Sequence, residues 1–144
     1  MNIDLDSTVF KIKSETNNTV NTKYESYNYE FTDPALDLKN SGIIENTDTK
    51  VHVYKIYSNK NLQCKIIFME FINENVSYIS DLWVNENIRN KGIGSDIRKN
   101  IVNYLKPTSI YSVPTNEPIK KILRNQGFIP VEDTSLKKWY VKKY

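Results

Sequence analysis

Between residues 51 and 84 the chain runs through three consecutive apolar or aromatic stretches, Val51–Tyr57, Leu62–Ile72 and Val76–Val84. Only Ser58-Asn59-Lys60-Asn61 and Asn73-Glu74-Asn75 separate them. Strand-like runs joined by short Asn-rich turns predict an antiparallel meander. The middle run, Cys64 to Phe71, is largely apolar on both faces, so it reads as a central strand covered on both sides. After Val84 the period changes from two to about 3.6: Ile93, Ile97, Ile101, Tyr104 and Leu105 share one helical stripe, while Arg98, Lys99 and Asn103 fall off it. Pro107 stops that helix. Ser109–Val113 reads as a short strand. A second helix follows, capped by Asn116 or Glu117, with Pro118 in its first turn, Ile119, Ile122 and Leu123 on its apolar face and Gly127 past its end. Phe128–Val131 and Lys137–Val141 read as closing strands. The order β-β-β-α-β-α-β-β predicts an α/β (α+β) domain of three layers, a mixed, mostly antiparallel sheet with helices on both faces.

The first 50 residues differ: they are rich in Asn and Thr and lack helical periodicity. Thr8–Lys13 and Tyr24–Phe31 alternate with period two and predict a hairpin with a long connection. Asp33-Pro34 opens a helical turn through Leu38, ended by Gly42. With no linker or repeat, the 144 residues read as one domain: a variable strand and loop region over 1–50, a core over 51–131 and a C-terminal strand within 132–144.

Composition narrows the function. Twenty Lys and Arg against 17 Asp and Glu give a net charge of +3, too weak for a binder that relies on phosphate contacts to nucleic acid. One Cys and one His exclude an intrachain disulfide and an ordinary Cys/His zinc site, so no metal is expected. No apolar run approaches a membrane span, and the N-terminus lacks the pattern of a signal peptide. The expectation is a cytoplasmic domain.

The chain has only four glycines, and two of them stand one residue apart in Arg89-Asn90-Lys91-Gly92-Ile93-Gly94, between a strand and the stripe helix. Such a turn permits positive φ and close approach, and it presents unpaired N–H groups at the positive end of a helix dipole. That combination suits a pyrophosphate, with Arg89, Lys91 and Arg98 adding charge. The alternative is a plain left-handed turn before a helix. A Walker A loop needs wider glycine spacing, and a dinucleotide fingerprint needs a third glycine where this chain has Ile97.

Ile79-Ser80-Asp81-Leu82-Trp83-Val84 followed by Arg89-Asn90-Lys91-Gly92-Ile93-Gly94-Ser95 closely resembles the acetyl-CoA-binding motif of the GNAT N-acetyltransferases. Asn116 and the later Leu123-Arg124-Asn125-Gln126-Gly127-Phe128 resemble the family's second motif. The resemblance covers residues 76–131 well and is weaker before them. It implies acetyl-CoA as co-substrate, bound by the backbone around Arg89, Asn90, Lys91, Gly92, Ile93, Gly94 and Ser95. The end of the strand, Leu82, Trp83 and Val84, would pair with the pantetheine arm, and Asn116 would either contact that arm or cap its helix. It implies direct attack of a primary amine on the thioester, with the Val84 N–H toward the developing oxyanion. Asp81 is the carboxylate placed as general base or ammonium anchor, with Glu70 in reserve; the alternative for Asp81 is an exposed polar residue. Glu86 reads as a solvated loop residue.

The tyrosine that commonly protonates the leaving thiolate is replaced by Leu123, and nothing in the sequence selects among Tyr57, Tyr78 and Tyr111. Cys64 reads as a small core residue, His52 as incidental, and the alternating C-terminal Lys and aromatic residues as an edge strand. The family's usual pair of helices between its first two strands is not evident, which suggests an open acceptor cleft or one completed by a second copy. The acceptor is then a protein or another macromolecule ahead of a small amine. The competing expectation is a weak or inactive GNAT-fold protein that acts by binding CoA or a protein partner.

Overall fold

Asn59 and Lys60 both adopt left-handed backbone angles, with φ of 51° and 67°. Two such residues make the reversal that suits the twist of a tight hairpin. They join β2 (Thr49–Ser58) to β3 (Asn61–Phe71), and a turn with Asn73 at φ 64° leads into β4 (Val76–Val84). The expected meander is therefore present. These features come from a computed structural model, which describes residues 3, 5–16, 19–105, 108–131 and 139–144.

The remaining elements are α1 (Asp6–Thr16), β1 (Val20–Tyr29), α2 (Asp33–Asn40), α3 (Ile93–Tyr104), β5 (Ser109–Ser112), α4 (Glu117–Asn125), β6 (Ile129–Pro130) and β7 (Tyr140–Lys142). The seven strands form one sheet in the order β1-β2-β3-β4-β5-β7-β6. Among the described residues only β4 and β5 run parallel, joined through α3; the other pairs are antiparallel. The fold class read from the sequence is the one observed. Of the expected closing strand at Lys137–Val141, residues 137 and 138 lie outside the described residues, as does Pro107.

Each face of the sheet has its own core. Leu5 and Ile12 of the α1 region, Ile93, Ile97 and Ile101 of α3 and Leu123 of α4 pack on one face with Ile56, Ile66 and Phe68. Ala35 and Leu38 of α2 pack on the other with Val53, Met69, Phe71, Tyr78, Tyr111 and Trp139. The Trp139 indole N–H donates to Asp37 Oδ2 at 2.8 Å and ties α2 to the start of β7. β3 contributes to both cores, as its two apolar faces require.

The N-terminal expectation is corrected in two places. Thr8–Lys13 is not a strand: it lies inside α1, where the buried Leu5, Thr8 and Ile12 recur at helical spacing and Phe10 points to solvent. No hairpin forms with the next run; β1 pairs instead with β2, Tyr24 opposite Tyr54. The region before residue 51 is therefore not strand and loop alone. One helix, α2, lies between β1 and β2, and α1 precedes β1 and packs along α3. Thr32 caps α2 through a 3.2 Å hydrogen bond from Ala35 N, and Gly42 follows it at φ 75°, close to the short helix expected there.

Candidate functional site

β4 and β5 pair only over Val76–Ile79 and Ser109–Ser112. At that point β4 carries one extra residue: Ile79 faces Phe68 on β3 whereas Asp81 faces Ile67, which leaves Ser80 as a bulge. Beyond the bulge β4 stays paired with β3 but, among the described residues, has no strand partner on its β5 side. Asn85 N–H donates to Gln63 O across β3 at 2.7 Å. Strand alternation then directs the main-chain groups of Leu82 and Val84 away from β3, into the open side.

A cavity of about 600 Å³ occupies that opening. Its wall is Leu82, Trp83 and Val84 from β4, then Arg89, Asn90 and Gly92 from the loop, then Ile93, Gly94 and Ser95 from the start of α3, with Asn116 from the start of α4. Of the predicted cofactor-binding residues, only Lys91 is not in the wall. Arg98, expected from sequence to add charge here, also lines it, as do Ile88, Thr115, Pro118, Ile119 and Ile122, which the sequence did not point to. Ile88 comes from the turn before the loop, Arg98 from α3, Thr115 from the residue before the α4 cap and Pro118 from the first turn of α4. Ile119 and Ile122 form the apolar face of α4, which reads from sequence as core alone.

The loop geometry is specific. Asn90 and Gly92 both have positive φ, 66° and 77°, on either side of Lys91. Gly92 starts α3 with no side-chain cap, and the first intrahelical bond runs from Asp96 N to Gly92 O at 3.0 Å. The N–H groups of Ile93, Gly94 and Ser95 therefore have no intrahelical acceptor and form the dipole's positive end. Arg89 Nε donates to Val84 O at 2.8 Å, which fastens the loop to the end of β4. Gly94 lies against the same strand: an added Cβ would meet Leu82 Cδ2 at 3.7 Å and Val84 Cγ2 at 3.8 Å. At Gly92 an added Cβ would stand 3.2 Å from Lys11 Nζ. Lys11 is ion-paired with Asp96, so α1 brings a fourth cation to the loop. The sequence reading missed Lys11 because it placed that residue on a strand.

Asn116 is the N-cap of α4, with Oδ1 accepting from Ile119 N at 3.0 Å. Its oxygen is thus occupied, and its amide N–H₂ is the group left to reach a ligand. Leu123 is fully buried, and burial pushes the Cys64 thiol up to about 12, so neither offers chemistry at neutral pH.

The two candidate carboxylates stand apart. Asp81 is exposed, just past the bulge, on the face of Ile67. Arg98, from α3, and the buried Tyr78 interact with it electrostatically. Burial raises the Tyr78 phenol, and Ser80 is its hydrogen-bond neighbour. Tyr111, by contrast, is shifted by burial alone. Glu70 lies on the opposite face, where His52 Nε2 contacts its Oε1 at 2.7 Å and holds the carboxyl below its usual range.

His52 is not incidental: it is fully buried, its ring stacks on Phe68 with centroids 4.6 Å apart, and its Nδ1 lies 2.9 Å from the Tyr24 hydroxyl. The neutral tautomer with Nε2–H donating to Glu70 and Nδ1 accepting from Tyr24 satisfies all three groups. Tyr24, His52 and Glu70 come from three successive strands.

The sheet is thus split, with the end of β4 opening beside an uncapped, glycine-led helix in an α/β fold. Among solved structures, the chain is similar to an acetyltransferase from Thermus thermophilus, with a TM-score of 0.53 at 18% identity over 65% of this chain and 64% of that one. It is similar to a GNAT-family acetyltransferase from Staphylococcus aureus, with a TM-score of 0.53 at 15% identity over 82% and 98%. It is also similar to the PaiA N-acetyltransferase of Thermoplasma acidophilum in complex with coenzyme A, with a TM-score of 0.50 at 15% identity over 77% and 68%. The matched region thus spans slightly less than two-thirds of the Thermus protein. No protein-family model matches the chain, and no curated protein matches it significantly. The chain has the fold of the GNAT N-acetyltransferases. No helix among the described residues is long and apolar enough to cross a membrane.

Proposed function

We propose that the protein is an acyltransferase of the GNAT type, moving the acetyl group of acetyl-CoA to a primary amine by direct attack. The observation that carries this reading is the uncapped start of α3, three N–H groups without an intrahelical acceptor at the mouth of a cavity that continues along the unpaired side of β4. A diphosphate fits the first part and an extended amide-bearing arm the second. Two similar structures hold CoA or acetyl-CoA, the PaiA enzyme and an AtaT toxin variant bound to the C-terminus of its antitoxin.

In this reading the backbone from Asn90 to Ser95 holds the pyrophosphate, and Leu82 and Val84 pair with the arm through main-chain groups. The Val84 N–H donates to the thioester oxygen as negative charge develops there. Asp81 anchors the acceptor's ammonium and takes its proton, directly or through water, as nitrogen bonds to the carbonyl carbon. The carbon–sulfur bond then breaks and the thiolate leaves. Glu70 is held by His52 on the other face and takes no part. The acceptor is a primary amine, with macromolecular amines admitted by an open cleft; the protein acts in the cytoplasm.

The test is CoA release with a panel of amines, for wild type and Asp81→Asn. The reading expects turnover with at least one amine and a loss of about 10²–10⁴-fold in Asp81→Asn, the usual range for a general base. Turnover that survives the substitution with an unchanged pH profile would remove Asp81 from this role.

A further inference from the structure

Arg98 lies one helical turn beyond Ser95 on α3, lines the same cavity and is only 6% exposed. Its Nη1 is buried and has no hydrogen-bond partner among the described residues. The cavity wall also carries the apolar Leu82, Ile119 and Ile122. Two groups face the guanidinium electrostatically: the Tyr78 phenol, which is neutral, and the Asp81 carboxylate, which is exposed. Asp96, on the same helix, is taken by Lys11.

Burying a guanidinium short of a hydrogen-bond partner costs several kcal/mol, and Arg98 carries that cost within the wall of the cavity, where a ligand able to reach its unpaired donor offsets it. A neutral carbonyl would satisfy one N–H. A carboxylate would satisfy the charge and two donors together, in the fork geometry that distinguishes Arg from Lys.

We propose that Arg98 binds a carboxylate of the substrate in this cavity, so that one of the two reactants is an acid. This rests on the acyl-CoA reading above. The carboxylate has two sources: the far end of a dicarboxylic acyl group on the donor, or the acid group of an amino-acid acceptor whose ammonium faces Asp81. The second source uses Asp81 and Arg98 as an opposite-charge pair matched to a zwitterion.

The experiment measures kcat/KM in two arms. The donor arm compares succinyl-CoA with acetyl-CoA on one carboxylate-free amine. The acceptor arm compares amino acids with their amides, using acetyl-CoA. Wild type should prefer the carboxylate-bearing reactant in one arm by about ten- to a hundredfold, the range for a hydrogen bond to a charged group. The arm that shows it names the source. In Arg98→Met the ratio should collapse toward one, and Arg98→Lys should restore part of it; a purely structural Arg98 would lower both members of each pair alike. Wild type that is stabilised by CoA yet shows no preference in either arm overturns this proposal and leaves the acyltransferase reading standing, whether or not the variants fold. Wild type that is not stabilised by CoA at all overturns both.

Discussion

Replacing Glu70 with Gln separates the two candidate carboxylates. In the native protein the Glu70 carboxylate accepts from the buried His52 at 2.7 Å, and its side chain is 37% exposed. A hydrogen bond to a charged group contributes about 1.5–3 kcal/mol when buried, and solvent screening at this exposure reduces that to about 1 kcal/mol. Gln retains an acceptor oxygen for Nε2–H, so only the charge is lost. For a domain of this size the melting temperature should fall by about 4 °C. The pH dependence has a definite sign. The carboxyl's pKa is lowered from its ordinary 4.5 in the fold, so its stabilisation is present above about pH 4.5 and fades as pH drops through the folded value. The gap between wild type and Glu70→Gln should be constant near neutrality and close in acid. The assay is thermal unfolding from about pH 3 to 8 beside CoA-release kinetics near neutral pH. Turnover abolished with the melting temperature unmoved would refute the argument, because Glu70 would then be the base.

Two further substitutions test the site's frame. Asn116→Ala removes the α4 cap and should cost about 1 kcal/mol by denaturant unfolding. CoA affinity would fall with it only if the Asn116 amide also reaches the ligand. Lys11→Met removes a cation beside the loop and should weaken CoA binding by about two- to fivefold by titration calorimetry. That loss should shrink in high salt.

The core of the fold was legible because its signals are local. The turns at Asn59-Lys60 and Asn73, the change of period after Val84 and the glycines of the α3 loop each lie within a few residues of what they determine. α1 was misread for the same reason. The alternation within Thr8–Lys13 covers too few residues to outvote helix, and the deciding spacing of Leu5, Thr8 and Ile12 starts before that window. With the helix missed, Lys11 could not be placed at the loop. The setting of His52 is non-local. Its partners Tyr24 and Glu70 are diagonal neighbours on adjacent strands, and the register is altered by a bulge. The tight turn pairs Ser58 with Asn61, and an unbroken ladder would set His52 against Ile67. The irregularity between Ile56 and Tyr57 moves it one residue, onto Phe68 and the other face. Arg98 was placed near the loop from sequence, but its burial depends on how α3 lies across the opening between β4 and β5.

The central claim is that the backbone opening α3 binds a diphosphate, and thermal unfolding with CoA tests it most directly in three proteins. Wild type at about a hundredfold excess over the dissociation constant should gain about 2.7 kcal/mol, or roughly 10 °C. Gly92→Glu forces a side chain onto a backbone with φ of 77° and sets a carboxylate against the phosphates, so it should start less stable and show no gain. Gly42→Glu suffers similar backbone strain at φ 75°, with nothing within 4 Å of its added Cβ, and should keep the full gain. A gain that persists undiminished in Gly92→Glu, or is absent from wild type, would contradict the account.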